Sequence, residues 1–156
     1  MQKELLPKTV AQSRTEQIQI LMPEHINGYK RLFGGKLMEW IDVVAAVAAR
    51  RHSGRDVTTA AVDYLEFREA AYVNSTIVLK GQLTHVGRTS MEVRVDTFVE
   101  ELDGGQHLIN RAYLVLVALD EKQKPAPVPP LVCETVEEKA EWEEAVRRLE
   151  YRKNRR

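Results

Sequence analysis

The stretch GGKLMEWIDVVAAVAARRHSG, residues 34–54, constrains the fold more than any other part of the chain. Its length and alanine content favour a helix. Arg50, Arg51 and His52 place positive charge at the negative end of the helix dipole, and Gly54 offers a left-handed cap. Leu37, Met38, Trp40, Ile41, Val43, Val44 and Val47, with the alanines between them, leave almost no polar stripe. A helix resting on one face of a sheet keeps such a stripe for water. This one needs cover on a second side, and another subunit is the simplest cover. One carboxylate, Asp42, interrupts the apolar surface at its middle and calls for either a partner or a function.

The surrounding sequence supplies the sheet. Residues 16–22 alternate, with Glu16, Ile18, Ile20 and Met22 on one side and Gln17, Gln19 and Leu21 on the other, which predicts a half-buried strand ended by Pro23. After Gly54 the period changes to two, near Val57–Phe67, Thr76–Val86, Ser90–Glu101 and His107–Leu119. Consecutive strands joined by short turns, one of them at Asp103-Gly104-Gly105, predict an antiparallel meander. Pro125, Pro127, Pro129 and Pro130 cannot donate to a ladder and end the sheet. Thr135 with Glu138 forms a capping box for a last helix that carries Trp142, Val146 and Leu149 on one face. The expectation is an α+β fold: an antiparallel β-sheet wrapped around a central long α-helix, with a C-terminal helix. We read residues 1–156 as a single domain, with a core over 13–131 and a helical tail over 134–156.

Charge and cysteine content narrow the function classes. With 23 basic against 23 acidic side chains there is no bulk electrostatic reason to bind nucleic acid. The longest apolar runs, Ile41–Ala49 and Ala112–Leu119, fall short of the roughly 18 residues of a membrane span. No signal-peptide pattern opens the chain, and a lone cysteine, Cys133, excludes an internal disulfide, so a reducing cytoplasm is expected. His25, His52, His85 and His107 lack metal-ligand spacing, and no metal is expected.

Several short motifs recur as a set. Pro23 and Asn27 precede Phe33-Gly34-Gly35, and Asp42 follows about two helical turns later. Val57 with Thr59 lies on a strand; Gly87-Arg88-Thr89-Ser90-Met91 makes a turn; Val117-Ala118-Leu119-Asp120, Lys124-Pro125 and Val128-Pro129 come late. From Met22 to about Leu131 the chain resembles the hotdog-fold acyl-CoA thioesterases, in the subgroup of cytosolic acyl-CoA hydrolases. It departs from that pattern at Lys30, where a glycine is usual, at Glu69-Ala70-Ala71, where a proline is usual, and at Asn74-Ser75, which replaces a Gly-Asp turn. These changes bear on loop geometry and acyl-chain preference. The resemblance implies a hydrolase of fatty acid metabolism that converts acyl-CoA to free fatty acid and coenzyme A, with Asn27, Gly35 and Asp42 catalytic. It implies substrate contacts at Phe33, Gly34, Thr59, Gly87, Arg88, Thr89 and Ser90. Coenzyme A is then part of the substrate and no separate cofactor is expected. The implied assembly is a homodimer as minimal unit, built into a homohexamer as a trimer of dimers.

The chemistry fits those residue types. Thioester hydrolysis needs an activated water or a carboxylate nucleophile, and donors aimed at the oxygen on which charge develops. Gly34 and Gly35 at a helix N-terminus offer backbone N–H groups and allow close approach; Asp42 offers the carboxylate. Asp42 lies seven residues beyond Gly35, about 10 Å along the axis. The two cannot touch one carbonyl from the same helix, so a shared site needs the aspartate of a partner subunit. General-base and nucleophilic roles for Asp42 both stand.

Plainer accounts stand beside these. Asp42 can be a buried acid held by a basic partner, Asn27 a turn residue, Thr59 a buried strand threonine, and residues 87–90 an ordinary hairpin turn. The basic tail of Arg147, Arg148, Arg152, Lys153, Arg155 and Arg156 is either a phosphate grip or a solvated charge run. An acyl tunnel is expected along Leu37, Met38 and Ile41. A non-catalytic acyl-CoA binding or sensor module is the second functional reading, and a dehydratase using His25 the third. The joint presence of Asn27 and Asp42 favours the enzyme, since a pure binder needs no carboxylate facing a thioester.

Overall fold

The computed structural model describes residues 4–155. Its centre is helix α2 (Gly34–Ser53), which starts from an extended Phe33 and stops at Gly54. Gly54 takes φ +68°, where a side chain would be strained, and its N–H donates to Arg50 O at 2.8 Å. Around α2 runs a five-stranded antiparallel sheet: β2 (Thr15–Ile20), β3 (Asp56–Phe67), β4 (Thr76–Val86), β5 (Ser90–Glu100) and β6 (Gln106–Leu119). Their order is β2-β4-β5-β6-β3, so β2 and β3 are opposite edges. All five strands touch α2. Leu37, Ile41, Ala45 and Ala48 of the helix are fully buried against Ile77, Leu79, Leu83, Val93, Leu114 and Leu116. The antiparallel sheet wrapped on a central helix is the hotdog arrangement the motifs imply.

Three short pieces escape the sequence reading. Strand β1 (Lys8–Thr9) pairs in parallel with β7 (Leu131–Val132), and helix α1 (Val10–Ser13) follows β1 under a capping box of Thr9 and Gln12. Each is too short to show a period. Strand β2 ends at Ile20, and Met22 instead leads into a 3-10 turn at Pro23–His25.

Strand β2 is turned inside out relative to its hydrophobicity. Thr15, Gln17 and Gln19 lie opposite Gly81, Leu79 and Ile77 on the helix side, and Leu21 on that side is fully buried. Ile18 and Ile20 point to the outer face and are 60% and 52% exposed. A slip of one residue would bury both isoleucines and expose both glutamines. The observed register forgoes much of the roughly 1.5–3 kcal/mol that each buried isoleucine contributes.

Helix α3 (Val136–Asn154) opens on the expected box: Glu138 N–H donates to Thr135 Oγ1 at 3.0 Å, and Thr135 N–H to Glu138 Oε2 at 3.2 Å. It covers part of the outer face through charge as much as apolar contact. Arg148 grips Glu92 with two bonds, Nη2 to Oε1 at 2.8 Å and Nε to Oε2 at 3.0 Å, and its guanidinium lies 3.7 Å from the Tyr113 ring centre. Tyr113 donates to Glu141, Arg152 pairs with Asp63, and Trp142 packs on His85 with ring centres 4.1 Å apart. No helix is long and apolar enough to cross a membrane among the described residues.

Candidate active site

The N-terminus of α2 and the middle of its outward face carry the candidate chemistry. Phe33 caps the helix without a side-chain hydrogen bond, and its carbonyl accepts from Lys36 N at 3.0 Å and Leu37 N at 3.1 Å. First-turn N–H groups have no intrahelical acceptor. Gly34 and Gly35 therefore present free donors at the positive end of the dipole. A Cβ on Gly35 would stand 2.7 Å from Phe33 Cε1, closer than real side chains come, whereas one on Gly34 would meet Phe67 Cζ at an ordinary 3.7 Å. Phe33 and Phe67, both more than half exposed, thus frame the donors with apolar rings. Phe67 was read from the sequence only as the end of a strand; an aromatic at the mouth of the edge strand was the available signal.

Asp42 sits two turns further on, on the same side of the helix as Gly35, Glu39 and half-exposed Val43. Within one chain it is exposed. Among the described residues it has no basic partner. Its partner is Thr59 of β3, whose Oγ1 donates to Asp42 Oδ1 at 2.6 Å. Thr59 is likewise an exposed residue of an edge strand, not a buried one.

Asn27 behaves as the turn residue of the plainer account. Its Oδ1 accepts from Tyr29 N at 2.9 Å and Arg31 N at 3.3 Å, and its carbonyl accepts from Lys30 N at 3.0 Å. The Asn27 amide nitrogen makes no bond among the described residues and stays available as a donor. His25, two residues earlier, accepts the Met22 N–H on Nδ1 at 3.0 Å and meets Trp40 edge-on at 5.0 Å, so its ring is engaged in holding the loop.

The Gly87–Ser90 turn closes β4 onto β5, with Gly87 N donating to Ser90 O at 2.9 Å. Ser90 is in register with Val117, and Val117 with Thr58, so the turn lies two strands across from Thr59. Arg88 is exposed and forms no ion pair among the described residues; its carbonyl accepts from Val128 N at 2.9 Å. Pro129 next to that contact accepts from His52 Nε2 at 2.8 Å near the far end of α2. One chain therefore joins Asp42 with Thr59 and sets residues 87–90 at their end of the sheet, while Gly34 and Gly35 stand apart at the opposite end of the helix.

Leu37 and Ile41 lie in the fully buried core, and of the three expected tunnel positions Met38 alone is partly exposed. The reading of the basic tail is corrected: Arg148 and Arg152 are bound to Glu92 and Asp63 on the sheet and hold α3 in place, while exposed Arg147 pairs with Glu144 inside α3. Arg156 lies outside the described residues. No three His, Cys, Asp or Glu side chains converge on a metal-sized site among the described residues.

A sheet-wrapped helix with free N-terminal donors and an outward carboxylate defines a class, the thioesterase superfamily, whose family description matches residues 29–105. YkhA of Bacillus subtilis, an uncharacterized acyl-CoA thioester hydrolase, is 39% identical over 92% of this chain and 84% of its own length. An apo-hexameric acyl-CoA thioesterase superposes with a TM-score of 0.92 at 40% identity, covering 96% of this chain and 97% of that one. An acyl-CoA hydrolase of Staphylococcus aureus, solved with butyryl coenzyme A, coenzyme A and coenzyme A disulfide, superposes at 0.90 with 32% identity, covering 95% and 91%. The chain belongs to the acyl-CoA thioester hydrolases of this superfamily.

Proposed function

We propose that this hydrolase cleaves acyl-CoA to a free fatty acid and coenzyme A at a site shared by two subunits, in the cytoplasm. The observation that carries the reading is the placement of Asp42, oriented by Thr59, on the exposed face of α2 that also carries Gly35 with its free N–H. Their separation of about 10 Å along one axis puts a single thioester within reach of both only when a second helix lies alongside. The uncovered face of α2 and the free edge of β3 supply the surface for that partner. The homodimer is then the minimal unit, and the hexameric relative supports a trimer of dimers.

In this scheme Gly35 N–H stabilises the oxygen of the tetrahedral intermediate, and Asn27 Nδ2 holds the acyl-CoA or the water. The partner's aspartate takes a proton from water as hydroxide adds to the carbonyl carbon. The intermediate collapses by breaking the C–S bond, and the departing thiolate recovers the proton. Direct attack by the carboxylate, forming a mixed anhydride that water then opens, needs the same residues. Phe33 and Gly34 line the acyl approach. Residues 87–90, with exposed Arg88, supply donors and charge for the nucleotide phosphates, in keeping with the coenzyme A complex of the S. aureus relative. Neither route uses a metal or separate cofactor.

The test is thiol release from a panel running from acetyl to palmitoyl coenzyme A, with Asp42→Ala in parallel. Turnover that collapses in the variant while the oligomer persists supports the scheme. Acyl-CoA binding without thiol release would move the chain to the sensor reading.

A further inference from the structure

Edge strand β3 is interrupted twice where it faces the central helix. Its register sets Thr59, Val62, Leu65 and Phe67 opposite buried residues of β6, so these four point towards α2. Their spacing is not the even one of a plain strand, because Ala60 and Asp63 are each an extra residue, a β-bulge. Alternation carried on from Thr59 would turn Ala61 and Asp63 to the helix. The bulges instead aim Val62 inward and send Asp63 outward, where it pairs with Arg152 of α3. Leu65 packs against the core, whereas Val62 on the same face keeps 42% of its surface exposed. On either side of Val62 the strand meets α2, through Thr59 with Asp42 and through the Phe67 ring beside Gly34. An apolar side chain thus stands uncovered between the carboxylate and the donor ends of the site.

We propose that Val62 is a specificity-determining residue: it meets the far part of the substrate's acyl chain and thereby selects for chain length. The inference rests on the thioesterase reading above and names the chains that site distinguishes. Val62 lies five residues along β3 from Phe67, about 15 Å at roughly 3.3 Å per residue. A chain whose thioester oxygen is held by Gly35 and which runs between α2 and β3 passes Leu65 and reaches Val62 after on the order of ten carbons, at about 1.5 Å per bond. Acyl chains of medium length and beyond touch Val62, and acetyl and butyryl groups end short of it. The way there is apolar: Phe33 and Phe67 stand exposed at its entrance, and partly exposed Met38 lies on α2 between Gly35 and Asp42. This path replaces the one expected along Leu37 and Ile41, whose side chains the core has taken up. Bulges that re-aim a single side chain beside a site are a recurring device of sheets, and here the re-aimed residue is the valine.

Thiol release from acetyl to palmitoyl coenzyme A by the native protein, Val62→Phe and Val62→Ala tests this, with sedimentation velocity on each sample. Val62→Phe narrows the path and is expected to lower kcat/KM for lauroyl and longer chains by roughly tenfold or more while leaving acetyl coenzyme A within about twofold. Val62→Ala widens it and is expected to move the best substrate to longer chains; it decides the matter alone should phenylalanine prevent folding. Equal losses at every chain length, or an unchanged ranking in a folded variant, overturn the assignment. Subunits that separate in Val62→Phe with the ranking intact would give this surface to the partner subunit instead. If the native protein binds acyl-CoA without releasing thiol, the hydrolase reading falls, and the same ranking taken from dissociation constants by titration calorimetry upholds or overturns the contact with Val62. A native protein that binds no acyl-CoA overturns both.

Discussion

Thr59 Oγ1 donates a 2.6 Å hydrogen bond to Asp42 Oδ1, tying the middle of the central helix to the free edge strand of the sheet. The bond occupies one carboxylate oxygen and leaves Oδ2 without a hydrogen-bond partner among the described residues. Replacing Asp42 with Asn keeps the shape and removes the charge, and is expected to lower kcat by roughly 10²–10⁴-fold. Thr59→Val removes only the orienting donor, and a bond to a charged group of about 1.5–3 kcal/mol corresponds to a roughly 10–100-fold loss. A double variant no worse than Asp42→Asn is the signature of the pair acting as one unit. Steady-state kinetics on the three proteins decides it; additive losses would count against the coupling.

Gly35 offers a separation of activity from stability. A methyl there would meet Phe33 Cε1 at 2.7 Å and displace the ring from the donors. Alanine keeps the N–H, so Gly35→Ala is expected to act by crowding the thioester's approach, cutting kcat/KM by up to about 10²-fold, the scale of displacing the reacting group by roughly 1 Å. The fold should hardly notice, since alanine favours a helix by up to about 1 kcal/mol and the exposed Phe33 ring is free to move. Thermal unfolding beside the kinetics checks both halves, and a fully active Gly35→Ala enzyme would show that the thioester does not pass against the Cα of Gly35.

The legible parts of this chain were those written in long periods. The 20-residue α2 and the strands of 11 to 14 residues declared themselves through apolar spacing, but the exposed face of α2 carries Lys36, Glu39, Asp42 and Arg50 beside Val43, a polar stripe that the many apolar residues of the helix hid. The pairing of Asp42 with Thr59 was not readable, because 17 positions separate them and only the crossing of helix and edge strand brings them together. The direction of β2 was equally hidden: alternation shows two faces and does not say which one meets the helix. The basic tail misled for a related reason, since charge in sequence does not reveal that Glu92 and Asp63 wait on the sheet for Arg148 and Arg152.

Removing Arg148 would leave Glu92 as an unpaired buried charge. Glu92 is 5% exposed and keeps only Thr84 Oγ1, at 2.5 Å, once the guanidinium is gone. Arg148→Met is expected to destabilise by about 3 kcal/mol, the low end for breaking a buried pair, and to lower Tm by roughly 10 °C. Pairing it with Glu92→Met should restore most of the loss, because the desolvated charge goes with its partner. Calorimetry of the single and double variants checks this. Acyl-CoA hydrolysis at low temperature is expected to survive in both, since the network lies across the sheet from Asp42.

Acid should weaken the fold through its buried histidines. His52 is fully buried, its Nε2 donates to Pro129 O at 2.8 Å, and Nδ1 has no partner among the described residues. Burial, above all, with the nearby charge of Lys8, holds its pKa below the ordinary 6.5, against the opposing pull of the Pro129 bond. Burial lowers His85 beneath Trp142 in the same way. With the folded pKa depressed, the unfolded chain takes up the proton first as pH falls. The stabilisation of the neutral ring is complete above about pH 6.5 and disappears as pH drops through the folded value, at up to about 1.4 kcal/mol per pH unit per histidine. Urea unfolding at pH 7.5 and 5.5 should therefore show a lower midpoint in acid. His52→Gln, which can keep a donor to Pro129 without titrating, is expected to reduce that difference, and His52→Gln/His85→Gln to reduce it further. An unchanged difference in the double variant would place the acid sensitivity elsewhere.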